Sequence, residues 1–192
     1  MKFWLSSGLL LLGNLVVGHA GEIQNVTITH DDGDYSVDLS IKVSGDKDTI
    51  YGIATDYKRL SRLSDVIIES GLISRDDGKG SSIVRRRIVT RACVLRFCFD
   101  TILIEDIWEP ESGIIKTVFV PEDSDFLYGE AVWQVQRLDD SNTLIRFTST
   151  FRQDFWVPPL IGTMVIKRMA LNTAEYTIKN IETIAASEQT RP

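Results

Sequence analysis

One long amphipathic helical pattern at the C-terminal end of the chain, from Pro158 or Pro159 to about Ser187, has to cover nearly everything that precedes it. Met164, Leu171, Ala174, Ile178, Ile181 and Ala185 recur at helical spacing, while Lys167, Glu175, Lys179 and Glu182 fall mostly outside their stripe. At 1.5 Å per residue the pattern makes a helix roughly 40 Å long, enough to cross a whole sheet. The two prolines suit its first turn, where a backbone N–H has no intrahelical partner to lose. The strands before it must therefore present one apolar face to this single stripe.

Those strands are legible from alternation. Tyr35, Val37, Leu39, Ile41 and Val43 alternate with Ser36, Asp38, Ser40 and Lys42, which predicts a half-buried strand. Residues 48–70 follow helical spacing and predict two short helices ended by Gly71, and Asp76-Asp77-Gly78-Lys79-Gly80 is a turn cluster. Residues 83–108 then form a strand-like run several times the usual strand length, so the chain must fold back within it. Later strands are expected over 114–120, 128–138 and 143–155. In the last, Ile145, Phe147, Ser149 and Phe151 alternate with Arg146, Thr148, Thr150 and Arg152.

Cys93 and Cys98 lie where the long run has to turn. On one extended strand they would sit about 16 Å apart on opposite faces, so a bridge requires a turn between them. The most economical hairpin tip is Val94-Leu95-Arg96-Phe97, although it lacks the usual turn residues. A disulfide is the reading adopted, with two free thiols as the alternative. A metal site is not expected, because His30 is the one histidine beyond residue 20 and lies near the start of the remaining chain.

The 192 residues suit one domain, and a net charge of -6 with pI near 5.0 excludes a basic footprint for nucleic acid. Residues 1–20 read as a cleavable signal peptide: Lys2 supplies the n-region, residues 9–17 the apolar h-region, and Gly18-His19-Ala20 a small-x-small cleavage site. The expectation is a periplasmic or secreted protein with an N-terminal extension over 21–34, the domain over 35–187 and a tail over 188–192.

The order of elements is strand, two short helices, a run of antiparallel strands and one long helix. A curved antiparallel sheet wrapped around that helix satisfies it, an α+β arrangement. Two segments, "IYGIATDYKRLSRLSDVIIESGLI" and "FWVPPLIGTMVIKRMALNTAEYTIKNIE", resemble the START-like or helix-grip (SRPBCC) superfamily, nearest its polyketide cyclase/dehydrase and coenzyme Q-binding branch. The resemblance covers residue 35 to about residue 186. It departs from the family at Arg59-Leu60-Ser61-Arg62-Leu63-Ser64, which lacks the Trp and Pro often found there. It implies an apolar ligand held between helix and sheet. Family members include lipid carriers, quinone chaperones and, in a minority, cyclases or dehydratases.

A cavity of that kind would be lined by Leu39, Ile41, Trp108, Phe119, Trp133, Phe147, Phe151, Phe155, Trp156, Met164 and Met169, each of which is otherwise an ordinary core residue. Phe155 and Trp156, at the junction into the helix, plug or gate one end. No nucleophile elbow, phosphate loop or metal cluster implies an enzyme or a cofactor. Glu105, Asp106 and Glu130 are the strand acids one of which could face inward, with Glu130 the first candidate for a catalytic carboxyl. Arg85, Arg86, Arg87, Arg91 and Arg96 make the first hairpin arm basic. A solvated outer face accounts for them. A sharper reading sets Arg85, Arg87 and the apolar tip Val94, Leu95 and Phe97 against an anionic membrane surface or a partner protein. Oligomeric state is left open.

Overall fold

The computed structural model describes residues 21–78, 81–94, 97–155 and 159–189. Eight strands form one antiparallel sheet in the order β1-β2-β8-β7-β6-β5-β4-β3. They are β1 (Glu22–Asp31), β2 (Asp34–Ser44), β3 (Ile67–Gly78), β4 (Ser81–Val94), β5 (Phe97–Glu111), β6 (Ile114–Phe119), β7 (Phe126–Arg137) and β8 (Asn142–Gln153). Two helices, α1 (Lys47–Ala54) and α2 (Pro159–Gln189), complete the helix-grip fold. No helix of the described residues is long and apolar enough to cross a membrane.

Sheet order follows from the connections. Every pair except β2–β8 is consecutive in the chain, and β8 returns to β2 over ten register pairs from Tyr35 opposite Phe151 to Ser44 opposite Asn142. β2 and β8 thus join the two halves, with β1 and β3 as the free edges. α2 leaves the sheet from the Phe151 end of β8 and reaches Ser44 at the other end, where Glu182 Oε1 accepts the Ser44 N–H at 2.8 Å.

The core is the contact between α2, α1 and the inner face of the sheet. Ala174, Ile178, Ile181 and Ala185 pack with Ile50 and Ile53 of α1 and with Ile41, Val43, Val135 and Ile145 of the strands. The last four α2 positions are spaced by three or four residues, so one stripe serves the whole contact. α1 starts where Asp46 caps it, its carboxylate accepting from the Asp48 and Thr49 amides at 3.1 and 3.0 Å. Gly45 before it has φ 141°, in the left-handed half of the map, and a Cβ there would meet Ile50 at 2.8 Å.

Two expectations need correction. Residues 21–34 are not an extension outside the fold, since Glu22–Asp31 is an edge strand paired with β2, and His30 lies on it. The hairpin signal was Asp32-Gly33, whose φ values of 47° and 87° make the tight two-residue turn that matches strand twist. The second short helix is a single 3-10 turn, Leu60–Arg62, and residues 67–70 already belong to β3. Past the end of α1, Asp56 binds Arg59 Nε at 2.6 Å and an Arg62 amino group at 3.1 Å. The β-branched pair Ile67-Ile68 then favours the pleated edge of β4, and bulges near Ile67 and Leu72 absorb the irregular pattern.

The hairpin placed between the cysteines is present. Cys93 lies opposite Cys98 in register, Val94 opposite Phe97, and the disulfide joins Cα atoms 4.0 Å apart. Leu95 and Arg96 lie outside the described residues, as do the proposed signal peptide, Trp156 and residues 190–192.

Candidate functional site

Alternation sorts each strand residue to one of two faces, and the inner face toward α2 carries the site. At the end where β8 leaves the sheet, an aromatic band crosses five strands. His30 stacks on Tyr35 at 4.3 Å, Tyr35 lies 5.9 Å from Phe151, Phe151 meets Phe126 edge-on at 5.6 Å, and Phe126 meets Phe119 at 5.3 Å. These separations are those of attractive aromatic pairs. Phe119 lies flat across β7 only because residue 129 is glycine: a Cβ there would come within 2.2 Å of the ring. Deeper in, Trp133 and Phe147 pair at 4.3 Å, and Trp133 packs against both hydrophobic clusters of the core.

α2 does not cover this face uniformly. Its C-terminal half is packed, with Ala174, Ile181 and Ala185 almost wholly buried. In its N-terminal half Val165, Ile166, Met169 and Leu171 are only partly buried, although they are as apolar as the residues that follow. The less tightly seated half starts at the aromatic end of the sheet.

Beside the aromatics the inner face carries a buried ion pair. Arg86 Nε donates to Glu105 Oε1 at 2.5 Å, and the side chains are 8% and 4% exposed. Arg86 also lies over the ring of Tyr57 at 5.1 Å. The Tyr57 hydroxyl donates to Glu109 Oε1 at 2.7 Å, and Tyr51 donates to Glu109 Oε2 at 2.5 Å. Burial, reinforced by Glu109, pushes both phenols far above the usual tyrosine range, so they remain protonated donors. Thr117, on the same face beside Ile107 and Ala131, is 1% exposed and its hydroxyl has no protein partner. This is a largely apolar surface with a buried charged pair and one buried hydroxyl that has no protein partner.

The structure brings together some of the residues singled out from sequence and separates others. Leu39, Ile41, Phe119, Trp133, Phe147 and Phe151 share the inner face, and Met169 is half-buried on α2. Trp108 is on the opposite face, paired with Lys116, where it lines an outer groove of about 480 Å³ with Thr148, Thr150 and Glu130. Glu130 is exposed there, so it is not an inward acid. Phe155 and Met164 are 48% and 69% exposed. Glu105 is a buried inward acid, and Tyr35, Phe126 and Arg86 were not foreseen as site residues. Among the described residues no group of three or more His, Cys, Asp or Glu could hold a metal ion.

Four of the five arginines of the basic hairpin arm are paired with acids. Arg85 binds Asp106 through two bonds of 2.7 Å, Arg91 binds Asp100 at 2.6 and 2.7 Å, and Arg87 binds Glu69 at 2.6 Å. With Arg86 held by Glu105, none of these four guanidinium groups is left as an unpaired surface charge.

Residues 22–175 match the family model described as polyketide cyclase / dehydrase and lipid transport. No curated protein matches the sequence. Among solved structures, a START superfamily protein from Mycobacterium smegmatis superposes with a TM-score of 0.61 at 18% identity, over 80% of this chain and 98% of that one. The Zhui aromatase/cyclase from Streptomyces sp. R1128 gives 0.62 at 11%, over 81% and 96%. A STAR-related lipid transfer protein from Xanthomonas axonopodis gives 0.57 at 9%, over 81% and 98%. At such identities the likeness is one of fold.

Proposed function

The chain belongs to the polyketide cyclase / dehydrase and lipid transport family, and on that premise we propose that it is an exported carrier of a hydrophobic small molecule, bound between α2 and the inner face of the sheet and released unchanged. Family and fold indicate a domain that binds hydrophobic ligands. The observation that carries the finer reading is the contrast along α2. Its apolar N-terminal half is only partly buried at the same end of the sheet as an unbroken aromatic band. Apolar side chains that the protein does not fully bury gain from a ligand that buries them, at roughly 25 cal/mol per Å².

The polar groups give the ligand a direction. A lipid, quinone or polyketide-like chain would lie along the aromatics with its hydroxyl, carbonyl or carboxyl end toward Arg86, Glu105 and Thr117. An enzyme reading needs an inward carboxyl free to exchange a proton; the buried one, Glu105, is held by Arg86, and Glu109 accepts from both Tyr51 and Tyr57. The exposed Cys93–Cys98 bridge supports an oxidising compartment, in keeping with the signal peptide read over residues 1–20.

Titration with cis-parinaric acid, a fluorescent fatty acid, tests the proposal. Saturable one-to-one binding is expected, weakened at least tenfold by Phe151→Ser with the fold retained, and the probe should be recovered chemically intact. Linear, non-saturating uptake equal in the two proteins would overturn it.

A further inference from the structure

Where β1 begins, the fold leaves space for a glycine nitrogen and little more. The backbone nitrogen of Gly21 donates to Glu182 Oε1 on α2 at 2.8 Å, the same oxygen that accepts Ser44 N–H. A Cβ on residue 21 would lie 2.5 Å from Ile178 Cγ2 and 2.6 Å from the Lys42 carbonyl oxygen, and the second neighbour is backbone that cannot swing aside. Any other residue here would force β1 away from the helix. Gly21 is also the residue that follows the small-x-small pattern Gly18-His19-Ala20.

We propose that Gly21 is the first residue of the mature protein and that its α-ammonium group is a structural cation docked on Glu182. Hydrolysis of the Ala20–Gly21 peptide bond by a signal peptidase adds one water, leaving a carboxylate on Ala20 and a protonated amine on Gly21. The donor to Glu182 thereby changes from a neutral amide to a cation, and charge-assisted hydrogen bonds are roughly twice as strong as neutral ones. Glu182 then ties the start of β1, the end of β2 and α2 together through one side chain. Processing during export tightens the edge strand onto the helix that covers the ligand site. The proposal rests on the export reading, but not on any ligand.

The first test is the intact mass of the full chain exported by a bacterial host, which is expected to begin at Gly21. The second compares two oxidised chains, one starting at Gly21 and one retaining Ala20, each with and without Glu182→Gln. The substitution is expected to lower Tm by about 3 °C more in the chain that starts at Gly21. Equal losses in both chains, or an exported chain beginning at another residue, would overturn the proposal. Intact ligand binding in either case would leave the carrier reading standing.

Discussion

Glu105→Leu removes the carboxylate from the buried pair and leaves the Arg86 guanidinium, whose side chain is 8% exposed, facing the Tyr57 ring with its nearest carboxylate gone. Removing one partner of a buried pair costs about 3–5 kcal/mol, because an uncompensated charge remains out of water. For a domain of this size 1 kcal/mol corresponds to roughly 2–4 °C, so Tm should fall by roughly 6–20 °C. Arg86→Met combined with Glu105→Leu removes both charges while keeping side-chain volume, and should return stability to within about 1 kcal/mol of the wild type. Urea unfolding of Glu105→Leu, Arg86→Met and the double variant at pH 7 measures these differences, with a coupling energy of at least about 2 kcal/mol expected from the cycle. The double variant should still bind a neutral apolar probe but bind an acid-headed one about tenfold more weakly, one charge-assisted hydrogen bond being worth roughly 1.5–3 kcal/mol. A loss below about 1 kcal/mol in Glu105→Leu alone would refute the reasoning, since the guanidinium would then have reached water.

Other consequences follow from the same geometry. Gly129→Ala drives a methyl group into the Phe119 ring and should cost about 1–3 kcal/mol, read by urea unfolding, with weaker binding of cis-parinaric acid. Cys93→Ser with Cys98→Ser opens a loop of five residues, which the chain-entropy model values at about 2 kcal/mol, and should speed amide exchange at the tip of the β4–β5 hairpin. Asp34 is held below its ordinary value of 3.8 by hydrogen bonds from Tyr128 and Arg152 to the charged form. Its folded-state value is therefore lower than its unfolded one, so the stability it contributes is present above about pH 4 and lost as the pH falls through the lowered value. Asp34→Asn should flatten the acid side of the Tm–pH profile below about pH 4.

The fold was largely legible because its strongest signals are periodic. One helix of about 30 residues and strands such as β8 can be read from spacing, although the strand expected over 143–155 ends at Gln153, and the hairpin followed from the length of the run around Cys93 and Cys98. β1 escaped because its outward residues are polar and its inward ones sparse, although Asp32-Gly33 marked the turn after it. The false second helix arose because Leu60, Leu63, Val66 and Ile67 happen to fit a helical spacing that tertiary pairing overrides at β3. The site was legible in its aromatics and not in its charges. Three consecutive arginines cannot all share one face of a strand. Between the inward Val84 and Ile88 the middle one, Arg86, must turn inward and find an acid across the ladder, which is Glu105. The same parity places Trp108 and Glu130 outside. Residues such as Phe155 and Met164 have no comparable ladder to assign them, and their exposure depends on how α2 is seated.

The most direct test of the carrier proposal is native mass spectrometry of the protein purified from the cells that make it, followed by extraction of what it holds. The proposal predicts a population heavier than the polypeptide by one discrete organic molecule, extractable intact into organic solvent and depleted by Phe151→Ser. A protein that carries only its polypeptide mass, takes up no apolar probe and converts an added substrate to product would contradict it.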